Sequence, residues 1–247
     1  MATRPTTPAL VLAIETSNPS SWTAHTPVMP GVALAYLDAP TIPIARAHCD
    51  PRLRDETLLV AIDAAFTEAG AAPSQLARIA VSAGPGGFTS LRVAVTVAKT
   101  LSLTTRARTV AVPSAHVAAL HAARVHQDKR PFAVALASKA DDTWLTTFHP
   151  DATPLHPGRL VSAADLHAMG LASIIADHHL PASISDKARQ LGVHIHPPTF
   201  DPADCLIAAE HLPDTDPLHL NLLYARIPEA IRKWRELHGE HAAPWPS

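Results

Sequence analysis

An α/β protein built on a mixed sheet is the fold class this sequence predicts, and three observations carry the prediction. Short apolar runs, Ala9-Leu10-Val11-Leu12-Ala13-Ile14 first among them, end in polar turns as buried strands do. Two longer segments, from Arg54 and from Leu91, space their apolar residues at helical intervals. Between them, three of the chain's nine glycines fall within four residues, Gly84-Pro85-Gly86-Gly87, after an apolar run and before a helix-like one.

In chain order, the first run ends at Glu15-Thr16-Ser17 and predicts a central strand. Residues 18–30, rich in Pro, Ser and Thr, predict a loop. Residues 32–37 and 42–47 predict two more strands, joined so closely through Asp38-Ala39-Pro40 that they make an antiparallel hairpin beside the first. The clearest helix is predicted over Arg54–Ala69. Its apolar face holds Leu58, Leu59, Ile62, Ala65, Phe66 and Ala69, and Gly70 stops it. Thr57, Val60, Ala61 and Ala64 make a second, small or apolar face. That face suits a second neighbour, either in this chain or in a partner subunit.

Ile79-Ala80-Val81 predicts the next buried strand, and Leu91 to Leu103 a helix with Thr89 or Ser90 as its cap. Strand, glycine turn and helix N-terminus together can cradle an anion, because glycine admits close backbone approach and the helix end offers free donors. The spacing matches neither nucleotide-loop pattern, and Pro85 removes a donor, so a plain tight turn competes with the cradle and is favoured on spacing alone. Residues 109–112 predict a strand and 113–125 a helix opened by Pro113-Ser114. The first half therefore reads β-β-β-α-β-α-β, a mixed sheet with helices on it. In the second half, residues 132–136 and 143–148 predict a strand pair. A short helix follows over 162–169, capped by Ser162, then strands at 172–176 and 193–195 and helices over 202–211 and 227–238. The two halves begin with comparable strands, as an old duplication would.

A chain of 247 residues suits one large domain or two small ones. Its formal net charge of −2, with scattered Lys and Arg, argues against a nucleic-acid clamp. The two cysteines, Cys49 and Cys205, form no CxxC. They read as reduced residues, with a disulfide left open. The start has no apolar region of signal-peptide length, and no run of about 18 apolar residues exists, so a cytoplasmic protein without a membrane span is expected. Sixteen histidines invite metal hypotheses, but their spacing favours surface and loop positions.

Leu12-Ala13-Ile14-Glu15-Thr16-Ser17, taken with Gly84-Pro85-Gly86-Gly87-Phe88-Thr89-Ser90-Leu91-Arg92, resembles the bacterial TsaB (YeaZ) family. That family reads L-A-[IL]-[DE]-T-S near its start and G-P-G-S-F-T-G-L-R before its second main helix. Here Gly87 stands where Ser is usual and Ser90 where Gly is usual. Ala98-Lys99, Tyr224-Ala225-Arg226, Glu229-Ala230 and Lys233-Trp234 also match, while Ala137 replaces a usual Asp and residues 18–30 make a longer loop. The likeness is strong over residues 9–120 and patchy beyond.

The resemblance implies an actin-like, Hsp70-like (ASKHA, ribonuclease H-like) fold of two lobes with mixed sheets flanked by helices. Residues 1–112 would form the first lobe, with the partner-binding helices, and 113–247 a more divergent second lobe. It implies a non-catalytic subunit that pairs with a catalytic TsaD-type paralogue and works with a TsaE-type ATPase. Their joint product is a threonylcarbamoyl group on the tRNA adenosine beside the anticodon, with tRNA met only through the complex. A homodimer stays open. No cofactor is required, and weak ATP or ADP binding, mainly at the partner interface, is the nucleotide role left open. Leu58, Ala61, Ile62, Phe66, Val93 and Val97 are the expected interface residues. Glu15, Thr16, Gly84, Gly86 and Gly87 are the weaker phosphate candidates.

No metal site is expected. The paralogue carries H-x-x-x-H in its first long helix, whereas residues 54–63 here hold no His. The competing reading is an enzyme of the same fold, a small-molecule kinase or glycoprotease-like peptidase. For it Glu15 and Asp63 are the suggestive acids and Ser17, Ser90 and Ser114 the candidate nucleophiles. A third reading lets Arg226, Arg232, Lys233 and Arg235, interleaved with Trp234, touch tRNA. Cations suited to a helix C-terminus are the plainer account.

Overall fold

The computed structural model describes residues 8–21, 28–50, 57–226 and 229–239. Two five-stranded mixed sheets form the frame. The first is ordered β3-β2-β1-β4-β5, from β1 (Leu10–Glu15), β2 (Gly31–Tyr36), β3 (Pro43–His48), β4 (Leu76–Gly84) and β5 (Arg108–Pro113). The second is ordered β10-β9-β6-β7-β8, from β6 (Phe132–Lys139), β7 (Asp142–Phe148), β8 (Pro154–Val161), β9 (Ser173–Ala176) and β10 (His194–His196). In each sheet three consecutive strands run antiparallel and two more add in parallel on the other side. The duplication that the strand pattern suggests is thus a repeated topology.

Five layers result. α1 (Leu58–Glu68) and α2 (Phe88–Thr105) cover the outer face of the first sheet, where Leu12, Ile14, Leu34, Ile79 and Val81 meet Ala61, Phe66, Ala94 and Ala98. α3 (Ser114–His126) and α5 (Pro202–Glu210) lie between the sheets, in a core of small residues such as Ala118, Ala119 and Ala209 with Phe132 and Phe148. α4 (Ala182–Gln190) and a short 3-10 helix (Ala163–Ala168) close the outer face of the second sheet on Ile174 and Leu145. Low aromatic content thus becomes an interior of Ala, Val, Leu and Ile.

The strands therefore divide between the sheets near residue 113, but the chain does not stay in the second lobe. α5 packs on β1, β2, β4 and β5. Beyond it, Thr215 N–H donates to Thr109 O at 2.6 Å and Leu223 N–H to Ala83 O at 2.8 Å, with Leu220 fully buried in the α1–α2 core. Residues 212–226 thus strap the first lobe. α6 (Glu229–His238) follows; Ile227 and Pro228 lie outside the described residues.

The differences from expectation are local. α2 starts at Phe88 with Gly87 at its cap position, so Thr89 and Ser90 sit inside the first turn and cap nothing. α1 is described from Leu58; residues 54–56 of its expected start, and 22–27 of the long loop, lie outside the described residues. The segment after Ser162 is a 3-10 helix, where Ser162 N–H and Oγ both donate to Asp165. β8 and α4 are additions that the periodicity does not show.

Candidate functional site

Two features draw together the residues singled out by the sequence. The first is the glycine turn. Gly84 has φ +107, and a Cβ there would lie 2.8 Å from Leu223 O. A Cβ on Gly86 would lie 2.1 Å from Ser17 O. The turn, which holds a cis Gly84-Pro85 bond, is therefore seated against the Ser17–Asn18 backbone and the strap. Gly87 N–H donates to Ser17 O at 2.6 Å. Close approach and a free donor are what a cradle would offer to phosphate. Here the Ser17 carbonyl takes up the Gly87 donor and lies against Gly86.

Glu15 lies beside this turn, fully buried rather than facing solvent at the strand end. It accepts from Ser17 N–H at 2.8 Å and from Ser82 Oγ, and Ser82 Oγ lies 3.4 Å from Ser114 Oγ. Burial pushes its carboxyl above the ordinary 4.5, against the bonds from Ser82 and Ser17. Burial, then Glu15 and Asp204, push the Cys205 thiol well up, which leaves it a protonated, inert group. Thr16 is buried next door, and its hydroxyl has no hydrogen-bond partner among the described residues. Among the described residues no imidazole bonds to Ser17, Ser82 or Ser114. Ser90 is half-buried in α2, and Asp63 is exposed on α1.

The second feature is the outer surface of α1 and α2. Four of the six expected interface residues do not belong to it. Leu58, Ala61, Ile62 and Phe66 are buried against this chain's own sheet, Ala61 with only 3% exposure. The reason is geometric: the strongest apolar stripe of α1 is the one β2 and β3 claim. Val93 and Val97 do reach the surface, where with Thr89, Arg92 and Thr96 they line a groove of about 340 Å³ along α2.

The apolar residues open to a partner are others. Leu59 and Val60 on α1 are 62% and 67% exposed, and Phe88 opens α2 at 54%. Sequence reasoning assigned Leu59 to the core stripe and gave Phe88 no role. A helix stripe wider than one sheet can cover was the available signal. The strap adds Leu218, Leu223 and Tyr224, also exposed.

The basic cluster is partly spent within the chain. Arg226 donates to the carbonyls of Ala137, Lys139 and Asp142, tying the strap to the β6–β7 hairpin, where Ala137 and Ala140 take left-handed φ values. Lys233 is exposed on α6, and Trp234 rests against His238. The side chains of Arg232 and Arg235 lie outside the described residues. Among the described residues no three His, Cys, Asp or Glu side chains converge as metal ligands, and α1 carries no His. No described helix is long and apolar enough to cross a membrane.

Two repeated mixed sheets with helices on both sides and between them define a two-lobed α/β protein of the actin-like class. The family model for TsaD, tRNA N6-adenosine threonylcarbamoyltransferase, matches residues 51–149, which hold α1, the glycine turn and α2. No curated protein matches the chain by sequence. Among solved structures, an uncharacterized Pseudomonas aeruginosa protein with similarity to peptidase YEAZ matches at 18% identity and a TM-score of 0.67, over 88% of this chain and all of that one. YeaZ from the same organism matches at 19% identity and a TM-score of 0.67, over 87% of this chain and 99% of the other. The family model thus covers fewer than half of the chain's residues, and the two solved structures show a shared fold.

Proposed function

We propose that this chain is a docking subunit in the threonylcarbamoyl modification of tRNA, pairing with a catalytic TsaD-type subunit and working with a TsaE-type ATPase in the cytoplasm. The observation that carries the proposal is the exposed aliphatic surface of the two helices, Leu59 and Val60 on α1 and the groove of Val93 and Val97 on α2. It lies inside the segment that resembles the paralogue itself. A paralogue has a similar pair of helices, and two such pairs stack as a four-helix bundle. Burying a Leu or Val yields about 1.5–3 kcal/mol, of which association consumes part in lost freedom.

In this reading the reaction takes place on the partner. Glu15 is walled in by Ser17 and Ser82 and acts as no base, and the Gly87 donor of the glycine turn is taken by Ser17. No nucleotide is needed for association, and tRNA is met through the complex. Kinase or peptidase chemistry is the competing reading; Mg²⁺-dependent ATP turnover by the isolated chain would favour it.

The test is light scattering of the chain with the purified TsaD-type subunit of the same organism, with Val60→Glu and Val97→Glu as variants. Both are expected to stay folded by circular dichroism and to lose the complex. Complexes of unchanged mass would count against the proposal. Depleting the chain in cells is expected to lower threonylcarbamoyladenosine in tRNA.

A further inference from the structure

The strap of residues 212–226 runs from one end of α2 to the other. Pro217 shares a hollow with Leu103 and Arg106 at the helix C-terminus. Leu220 is buried beneath the helix, and Leu223 is bonded to Ala83 beside the glycine turn. Tyr224 then places its ring 6.1 Å from that of Phe88, the first residue of α2. The Arg92 guanidinium lies over the same Phe88 ring, 5.2 Å from its centre. Phe88, Arg92 and Tyr224 thus form one exposed cluster, and Arg92 also lines the groove that continues along α2. Among the described residues Arg92 forms no ion pair.

Aromatic and arginine side chains beside a packed apolar groove are the groups that most often carry binding energy. We infer that the docking surface is centred on Phe88, Arg92 and Tyr224, and that its occupant is a partner helix with an aliphatic face and a carboxylate opposite Arg92. The inference rests on the reading that α1 and α2 dock a second subunit. The unpaired charge selects the carboxylate, and the groove of Val93 and Val97 selects the aliphatic face. Tyr224 is held on both sides, by Leu223 at Ala83 and by Arg226 at the β6–β7 hairpin. Its ring is therefore in place before binding, which lowers the ordering cost. Arg226 is a positioning residue for this surface.

Calorimetric titration of the full-length chain with the TsaD-type subunit of the same organism tests this. Arg92→Glu, at an exposed position that leaves the fold intact, is expected to weaken binding by at least about thirtyfold, and Tyr224→Ala by about tenfold. Tyr224→Phe is expected to bind as the unaltered chain does. If Arg92→Glu and Tyr224→Ala bind normally while Val60→Glu and Val97→Glu do not, the centre lies elsewhere and the inference falls, although docking through α1 and α2 stands. If all four variants bind normally, the docking reading falls with it. Self-association of the unaltered chain that Arg92→Glu disrupts would make a second copy the occupant, and would also overturn the inference.

Discussion

Glu15 lies where water does not reach, with Ser17 N–H and Ser82 Oγ as its donors. Burial raises its folded pKa above 4.5, so the folded state favours the protonated form. The stability linked to this group is therefore present at pH values below about 4.5 and is lost as pH rises through the folded value. Glu15→Gln keeps an acceptor for Ser17 and offers Ser82 a donor while removing the charge. It is expected to raise the melting midpoint at neutral and alkaline pH and to leave it unchanged at acid pH. A lower midpoint at neutral pH would show that the charge itself is needed. His126 and His196 behave oppositely. Their rings stack at 3.8 Å, and burial lowers both pKa values. Asp128 raises the His126 value and His121 lowers it; at His196 the other ring is the second lowering cause. Their stability is present above about 6.5 and is lost as pH falls through the lowered values. His126→Gln is expected to flatten the acid limb of a plot of melting midpoint against pH.

Within α1, neighbouring residues have opposite fates. Ala61 faces the sheet and Val60 faces out. Ala61→Glu would bury a carboxylate among Leu34, Phe66 and Ala98, at a cost of about 3 kcal/mol or more. Val60→Glu is expected to change stability by less than about 0.5 kcal/mol. Denaturant titration of the two variants checks this, and equal losses would mean that the helix face is misassigned. This pair also shows what the sequence could and could not reveal. Spacing made α1 legible as a helix with an apolar stripe, because that stripe repeats with the helical period. Which apolar residues the sheet takes depends on how α1 sits over β2 and β3, and periodicity holds no such information. The glycine turn was legible for a related reason: Gly84 and Gly86 occupy positions that exclude a Cβ, packed against Leu223 and Ser17. β8 was illegible because Pro154, Pro157 and Gly158 read as loop, although an edge strand tolerates them. α4 was illegible because only Ile184 and Ala188, one turn apart, are buried.

At the scale of the molecule, α5 and the strap that follows it complete the first lobe. α5 fills the space between the sheets with Cys205, Leu206 and Ala209, and the strap seals α2 with Leu220. No local pattern announces this, because the contacts join residues more than a hundred positions apart, as Thr215 joins Thr109 and Leu223 joins Ala83. A fragment of residues 1–200 would keep every strand and α1 to α4 yet lose α5 and the strap. Each missing leucine removes about 1.5–3 kcal/mol of burial, and the void between the sheets adds a cavity penalty. Against a total stability of about 5–15 kcal/mol, the loss is expected to leave no cooperative transition. A fragment ending at Arg226 keeps α5, Leu220 and the anchor on the β6–β7 hairpin, and is expected to melt cooperatively. Calorimetry of both fragments decides the matter. A sharp transition in residues 1–200 would mean that each sheet supports its own lobe and that the strap serves only the surface it carries past α2.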